Sequence, residues 1–249
     1  YLLQVVAGFN EVVARSRLMR LAPGAVVQEH VDFNYHWYSR VRIHVPIITE
    51  PAVRFFCGAD EVHMAAGEAW LFDSWRRHRV INGSADERIH LVIDIAGSAA
   101  FWQMVRQVQR SEVPMTPQVT AFEPDLKPKL ITERFPFAPI MAPGEMSAIV
   151  AELLDDCRAN PANDPHMLNY YHDVLFDLVH DWRRQWSLYG LTPEGIAGYQ
   201  GLLQRTRSAL EENPRVLVTQ SNGVGINPII LQRILGAALQ PRRAAEFVT

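Results

Sequence analysis

A chain of 249 residues, 48% hydrophobic and 20% charged, has the makeup of a soluble globular protein with a sizeable core, long enough for one large domain or two modest ones. A net charge of −3 and a pI of about 6.3 argue against nucleic acid or an anionic membrane surface as partner, since both demand a basic face. Cys57 and Cys157, a hundred residues apart, make no disulfide framework, so a reducing cytoplasmic setting is expected.

Residues 16–95 read as β-structure. Ser16–Leu21 is a short mixed segment, and Ala22-Pro23-Gly24 is a turn signal. Val26–Asp32 alternates, and Arg40–Ile48 alternates more clearly, with Arg40, Arg42 and His44 on one face and Val41, Ile43 and Val45 on the other. Val53–Cys57, Val62–Met64, Ala69–Phe72, Arg79–Ile81 and Arg88–Ile95 complete the set. Turns are expected at Cys57-Gly58, Ala66-Gly67 and Asn82-Gly83, the last a hairpin signal. Short strands at this spacing without intervening helices indicate a sandwich or barrel.

Ala99–Arg110 switches to helical spacing, and seven prolines follow between residues 114 and 144, marking an extended connector. Beyond it the chain reads as helix: Glu145–Arg158, His166–Tyr189 with Gly190 as its stop, a third helix from Thr192-Pro193 to about Asn213-Pro214, and a short fourth over Pro228–Ala238. The expected organisation is a β-domain over 1–113, a Pro-rich connector over 114–144 and a helical domain over 145–249. The chain begins at Tyr1 without an initiator Met and shows no signal-peptide pattern there. A further N-terminal segment is therefore expected. No run reaches the ~18 apolar residues of a membrane span.

The chemistry concentrates in His30, Asp32, His78 and Arg88. His30 and Asp32 lie two apart, so a strand points both to one face. His78, on a later strand, can arrive opposite them. Two imidazoles and a carboxylate on one face of an octahedral iron leave the opposite face open for a co-substrate and O2. Arg88 begins a strand on which His90, Val92 and Asp94 share its face. An arginine pointing inward there needs an anion, and its fork suits a carboxylate. A surface salt bridge with Asp86 or Glu87 is the alternative. The Arg40, Arg42, His44 face reads either as an anion-binding wall or as a solvated outer face. Asn222-Gly223-Val224-Gly225 is a lone glycine-rich turn without a strand-and-helix unit before it, Tyr170-Tyr171-His172, Trp182 and Trp186 read as helical core or interface, and His63, His166 and His180 have no partner spacing.

Ala22-Pro23-Gly24 ahead of His30-Val31-Asp32, then Arg40 to Pro46, Gly67-Glu68, Phe72-Asp73-Ser74, His78, Asn82 and Arg88 to Asp94, resemble the aspartyl/asparaginyl β-hydroxylase family over roughly residues 16–96. The resemblance implies an α+β protein whose double-stranded β-helix (a jelly-roll, cupin-like barrel) is followed by a helical region. It also implies an Fe(II)- and 2-oxoglutarate-dependent dioxygenase. His30 and His78 would be iron ligands, with Asp32 completing the site. Arg88 would grip the distal carboxylate of 2-oxoglutarate with help from His44, while Arg40 and Arg42 would face substrate or co-substrate. The animal members carry glycine at the position of Asp32, so this chain is closer to bacterial members acting on small molecules. The aromatic loop Phe33 to Ser39 is longer than theirs, and Tyr35 and Trp37 become candidates for a substrate-pocket wall or lid.

The expected activity is hydroxylation of an unactivated carbon of a small carboxylate-bearing molecule, such as an amino acid or its derivative, with succinate and CO2 as co-products. The same chemistry on a peptide side chain or acyl chain, and a non-catalytic cupin-like binding module, are the alternatives. The expected partners are a small-molecule substrate and O2, with neither nucleic acid nor membrane, and the helical region offers surface for a homodimer.

Overall fold

The structure is a computed structural model describing residues 1–110, 121–135, 138–213 and 216–240. Pro114, Pro117, Pro136 and Pro214 of the expected connector and helix end lie outside the described residues. The chain divides into two compact units: residues 1–32 with 39–136, and residues 33–38 with 137–249.

The first unit opens with α1 (Leu2–Gly8), then β1 (Val12–Leu21), β2 (Val26–His30), β3 (Val41–Ile48), β4 (Val53–Cys57), β5 (Asp60–Val62), β6 (Trp70–Leu71), β7 (His78–Asn82) and β8 (Arg88–Ile95), and α3 (Ala99–Arg110) follows. The strands form two sheets, β6-β3-β8-β1-β9 and β2-β7-β4-β5, where β9 is Ile131–Thr132. The fold class is α+β, a cupin-like jelly roll with helices following it, although the strands form two separate ladders rather than one closed barrel. The connector is not wholly irregular: β9 lies within it and runs parallel to β1 at Val12 and Val13.

Alternation decides which side chains meet. Ile43, Val45, Leu91, Ile93 and Ile95 project from one face of the larger sheet and pack with Val6, Val13 and Phe101. Their neighbours one position along, Arg42, His44, Arg88, His90 and Asp94, take the opposite face. A second cluster, Val53, Phe55, Cys57, Met64 and Val80, is joined by Leu21, Val27, Trp70 and Phe72. Burying a side chain of this size contributes about 1.5–3 kcal/mol, so these clusters set the register of the strands that carry polar side chains.

Two turns merit a physical account. Gly24 joins β1 to β2 with φ 68°, a left-handed conformation that glycine adopts without a Cβ penalty. Asn82-Gly83 is not the tight hairpin expected. Asn82 is fully buried and its Nδ2 donates to the carbonyls of Leu21, Ala22 and Asp86, while Oδ1 accepts from the backbone and hydroxyl of Ser84. The side chain organises the longer loop from β7 to β8 and ties it to the end of β1.

The second unit holds α4 (Pro143–Ala159), α5 (Pro165–Tyr189), a 3-10 turn at Pro193–Gly195, α6 (Ile196–Glu211) and α7 (Ile226–Ile229), which runs into a π-helical turn at Ile230–Leu235. Asp164 caps α5 by accepting from the His166 backbone, and Pro165 takes the first helical position. Trp182, Tyr171 and Tyr199 are fully buried in this unit. Trp182 Nε1 donates to the Met141 carbonyl at 2.9 Å, and the Tyr171 hydroxyl donates to Asn227 at 2.7 Å. The glycine-rich turn is structural: Asn222 Oδ1 accepts from Thr219 Oγ1 and from the Val224 backbone. The aromatic segment Phe33 to Ser39, expected as a loop, contains one helical turn, α2 (Tyr35–Tyr38), and its residues 33–38 belong to this unit. No helix among the described residues is long and apolar enough to cross a membrane.

Candidate metal centre and anion pocket

Strand pairing brings the two imidazoles together. His30 is the cross-strand partner of His78 in the β2–β7 ladder, and their ring centroids are 4.2 Å apart. Asp32 lies just past the end of β2, with its backbone N–H bonded to Ser74 O at 3.0 Å. The ligand atoms of His30, Asp32 and His78 all lie within 4.8 Å of one another.

Both rings are oriented alike. Nδ1 of His30 lies 2.8 Å from the Gln28 carbonyl, and Nδ1 of His78 lies 2.9 Å from the Arg76 carbonyl. A carbonyl only accepts, so each Nδ1 carries a proton, which leaves Nε2 as the ligating nitrogen of the neutral ring. Metal-binding histidines are commonly held this way, the outer ring nitrogen donating to a backbone carbonyl that fixes the ring's orientation. Burial lowers the His78 pKa, which keeps its lone pair available, while the bond to Arg76 opposes that shift. Asp32 Oδ2 lies 3.4 Å from Arg42 Nη1. Two imidazoles and a carboxylate form a donor set that suits a divalent first-row metal.

Next to this group lies a buried cluster of polar side chains that carries a cation. Arg88 is 3% exposed, and its Nη2 donates to Nδ1 of His90 at 2.7 Å. Glu87, the neighbour considered as its partner, pairs with Arg20 instead. Among the described residues no carboxylate lies at ion-pair distance from Arg88, and its Nε has no hydrogen-bond partner. His90 Nε2 and both ring nitrogens of His44 are likewise buried without partners. His44 packs against His90 at 5.8 Å and Phe72 at 5.3 Å between centroids, and Phe72 in turn packs on His78 at 4.9 Å. This chain of rings joins the cationic cluster to the metal-type group.

Burial, reinforced by Arg88, lowers the His44 pKa to about 3 and that of His90 to about 2. Burial also lowers Arg88 to about 10, which leaves it cationic at neutral pH. A buried arginine with an unspent N–H, beside three orphaned imidazole nitrogens, is costly unless a polar guest completes it. The cluster carries a net positive charge, which suits an anion.

The remaining sequence candidates are placed as follows. Arg42 Nε donates to Asp94 Oδ1 at 3.0 Å, and Asp94 Oδ2 accepts from Arg15 at 3.0 Å. Arg40 pairs through Nη2 and Nε with both oxygens of Glu133, at 2.6 and 3.3 Å. Tyr35 and Trp37 fall in the helical unit, where the Tyr35 hydroxyl donates to Glu145 and the Trp37 ring meets His36 edge-on. Arg15 and Arg17 were not read from the sequence as site residues, yet the β1–β8 register sets them opposite Asp94 and Val92 on the site's face.

The family model described as Aspartyl/Asparaginyl beta-hydroxylase matches residues 2–97, a span that contains the three metal-type residues, Arg42, His44, Arg88 and His90. No curated protein matches the chain. Similar solved structures include a predicted oxalate decarboxylase from Thermotoga maritima, 22% identical over 36% of this chain and 71% of that chain with a TM-score of 0.28. They also include a Cupin 2 conserved barrel domain protein from Salinispora arenicola, 16% identical over 37% and 69% with a TM-score of 0.26. A cupin domain from Bordetella pertussis is 23% identical over 32% and 78%, with a TM-score of 0.26.

Proposed function

We propose that the aspartyl/asparaginyl β-hydroxylase-type domain at residues 2–97 is the catalytic part of an Fe(II)- and 2-oxoglutarate-dependent dioxygenase. Its reaction would hydroxylate an unactivated carbon of a small carboxylate-bearing molecule, an amino acid or a derivative of one, releasing succinate and CO2. The observation that carries the reading is the buried Arg88–His90–His44 cluster, which has orphaned polar atoms and, among the described residues, no anionic partner, and lies one aromatic ring from His78.

The residues present suit the groups this reaction needs. His30, Asp32 and His78 would hold the iron, since one ligand atom of each lies within 4.8 Å of the others. The iron and 2-oxoglutarate together would supply the oxidising chemistry. Arg88 would bind the distal carboxylate of 2-oxoglutarate through its fork, and His44 would add a ring nitrogen to that contact. Phe55 and Phe72, packed at 4.7 Å, exclude water beside this pocket and strengthen its electrostatics. Arg42 steadies the Asp32 carboxylate while anchored on Asp94. No general base is required, because removing hydrogen from an aliphatic carbon does not depend on its acidity.

Arg88 also separates this reading from a metal-holding cupin module, which has no need of a buried, unpaired-by-acid guanidinium. Cytoplasmic location and a homodimer through the helical region complete the proposal.

The test is succinate formation from 2-oxoglutarate with Fe(II) and O2, against His78→Ala and Arg88→Ala. The expected result is slow succinate formation by the wild type, lost in both variants and stimulated by members of an amino-acid panel. Wild-type protein that binds neither Fe(II) nor 2-oxoglutarate would overturn the reading.

A further inference from the structure

The register of the larger sheet sets the site-facing side chains in rows. Arg15, Asp94 and Arg42 form one row across β1, β8 and β3, and Arg17, Val92 and His44 form the next. Met19, His90 and Pro46 form a third, and Leu21 with Arg88 a fourth. Arg17 therefore occupies the same row as His44, two strand spacings or roughly 10 Å across the sheet. It lies one row from the Asp94–Arg42 pair that contacts Asp32.

Charged groups crowd this face of the sheet. Asp94 accepts from both Arg15 and Arg42, and Asp32 faces Arg42. Arg17 is exposed and, among the described residues, has no carboxylate at ion-pair distance. Its cation is disfavoured first by burial and then by Arg42 and Arg15, with Asp94 and Asp32 opposing them, so all four groups lie within its electrostatic reach. An unmatched guanidinium beside two like charges, open to solvent and on the metal's side of the sheet, is relieved by an incoming anion.

We propose that Arg17, assisted by Arg15, anchors a carboxylate of the molecule that is to be hydroxylated, at the β1 side of the metal centre. The proposal rests on the reading of His30, Asp32 and His78 as metal ligands and of Arg88 as the keto-acid anchor. It assigns the two buried and exposed cationic positions to different anions: Arg88 to the co-substrate and Arg17 to the substrate.

Acetate is the probe. With Mn(II) in place of iron and 2-oxoglutarate saturating, the relaxation of acetate methyl protons reports acetate bound near the metal. Wild-type protein is expected to enhance that relaxation saturably, while neutral acetamide shows no effect. Arg17→Gln weakens the apparent acetate affinity by roughly tenfold or more, the scale of one charge-assisted hydrogen bond, and Arg17→Lys retains most of it. Equal enhancement in wild type and Arg17→Gln, or none in wild type beyond that of acetamide, overturns the anchor. The metal reading is checked separately by Mn(II) binding in electron paramagnetic resonance and its loss in His78→Ala. Mn(II) and 2-oxoglutarate binding with a flat acetate response sinks the anchor alone, whereas absence of Mn(II) binding sinks both.

Discussion

Arg88 donates to His90 two residues along one face of β8, and both side chains are buried with no acid at ion-pair distance among the described residues. In the ligand-free protein this pair is a cost, because a desolvated cation is only partly compensated by a neutral imidazole. The same feature makes the site selective for an anion. Arg88→Met removes the cation and keeps the volume. The ligand-free protein is then expected to hold or gain stability, by about 1–4 kcal/mol in the range seen when buried ions become apolar. The affinity for 2-oxoglutarate should fall by about 100-fold, the equivalent of ~3 kcal/mol. Thermal midpoints with and without 2-oxoglutarate, together with calorimetric titration, check both halves. A variant that loses ligand-free stability and keeps its affinity would contradict the assignment.

Acid stability should report the two buried imidazoles. Burial, with Arg88 next in importance, holds His44 at about 3 and His90 at about 2, below the ordinary 6.5. As pH falls below 6.5 the unfolded chain takes up protons that the folded chain refuses. The stability these rings represent is therefore full above pH 6.5 and is lost progressively as pH falls towards 3. Each ring contributes at most ~1.4 kcal/mol per pH unit in that window. Urea midpoints in chelator-containing buffer between pH 7.5 and 5 should fall, and His44→Phe should flatten the slope. Superimposable slopes for variant and wild type would show that His44 is already charged in the fold.

The site was legible where alternation is strict. Arg42, His44, Arg88, His90 and Asp94 share a face because strands repeat every two residues, and hydrophobic neighbours on both sides pin that register. Arg15 and Arg17 were not legible for a local reason. In an unbroken β1 they would share a face with Val13, which is buried in the other cluster. The register shift between Val13 and Arg15 turns them to the site's face instead. Nothing in the residue types announces that bulge. The helical turn within Phe33–Tyr38 was not legible for another reason: its partners Glu145, Glu152 and Arg233 lie more than a hundred residues away in sequence, beyond the reach of local pattern.

Asp94 holds two guanidiniums from opposite sides, Arg15 and Arg42, while being 1% exposed. Asp94→Asn keeps the shape and removes the charge, leaving Arg42 to turn fully to Asp32. A loss of about 3 kcal/mol in stability is expected, at the lower end for a broken buried pair because Arg15 is partly solvated. Mn(II) affinity should fall as well, since Arg42 then competes with the metal for the Asp32 carboxylate. Urea denaturation and Mn(II) titration measure the two effects independently. An unchanged urea midpoint would mean that the ladder of charges adds nothing to the fold.

Arg233, on the π-helical turn, secures the segment that follows Asp32 directly in the chain. Its Nε donates to the Phe33 carbonyl at 3.0 Å and its guanidinium lies 5.1 Å over the Tyr38 ring. Burial and then Glu152 push the Tyr38 hydroxyl's pKa up, and the Tyr35 hydroxyl donates to Glu145, so three contacts hold one helical turn within the helical unit. Arg233→Met keeps the packing and removes the charge-assisted bond, worth about 2 kcal/mol for a buried group of this kind. Local opening of residues 33–38 should then rise roughly 30-fold, since each 1.4 kcal/mol is tenfold. Chymotrypsin, which cuts beside aromatic residues, should cleave at Tyr35, Trp37 or Tyr38 faster by about that factor while global unfolding shifts much less. Cleavage at the wild-type rate would mean that the tyrosine–glutamate contacts hold the segment without Arg233.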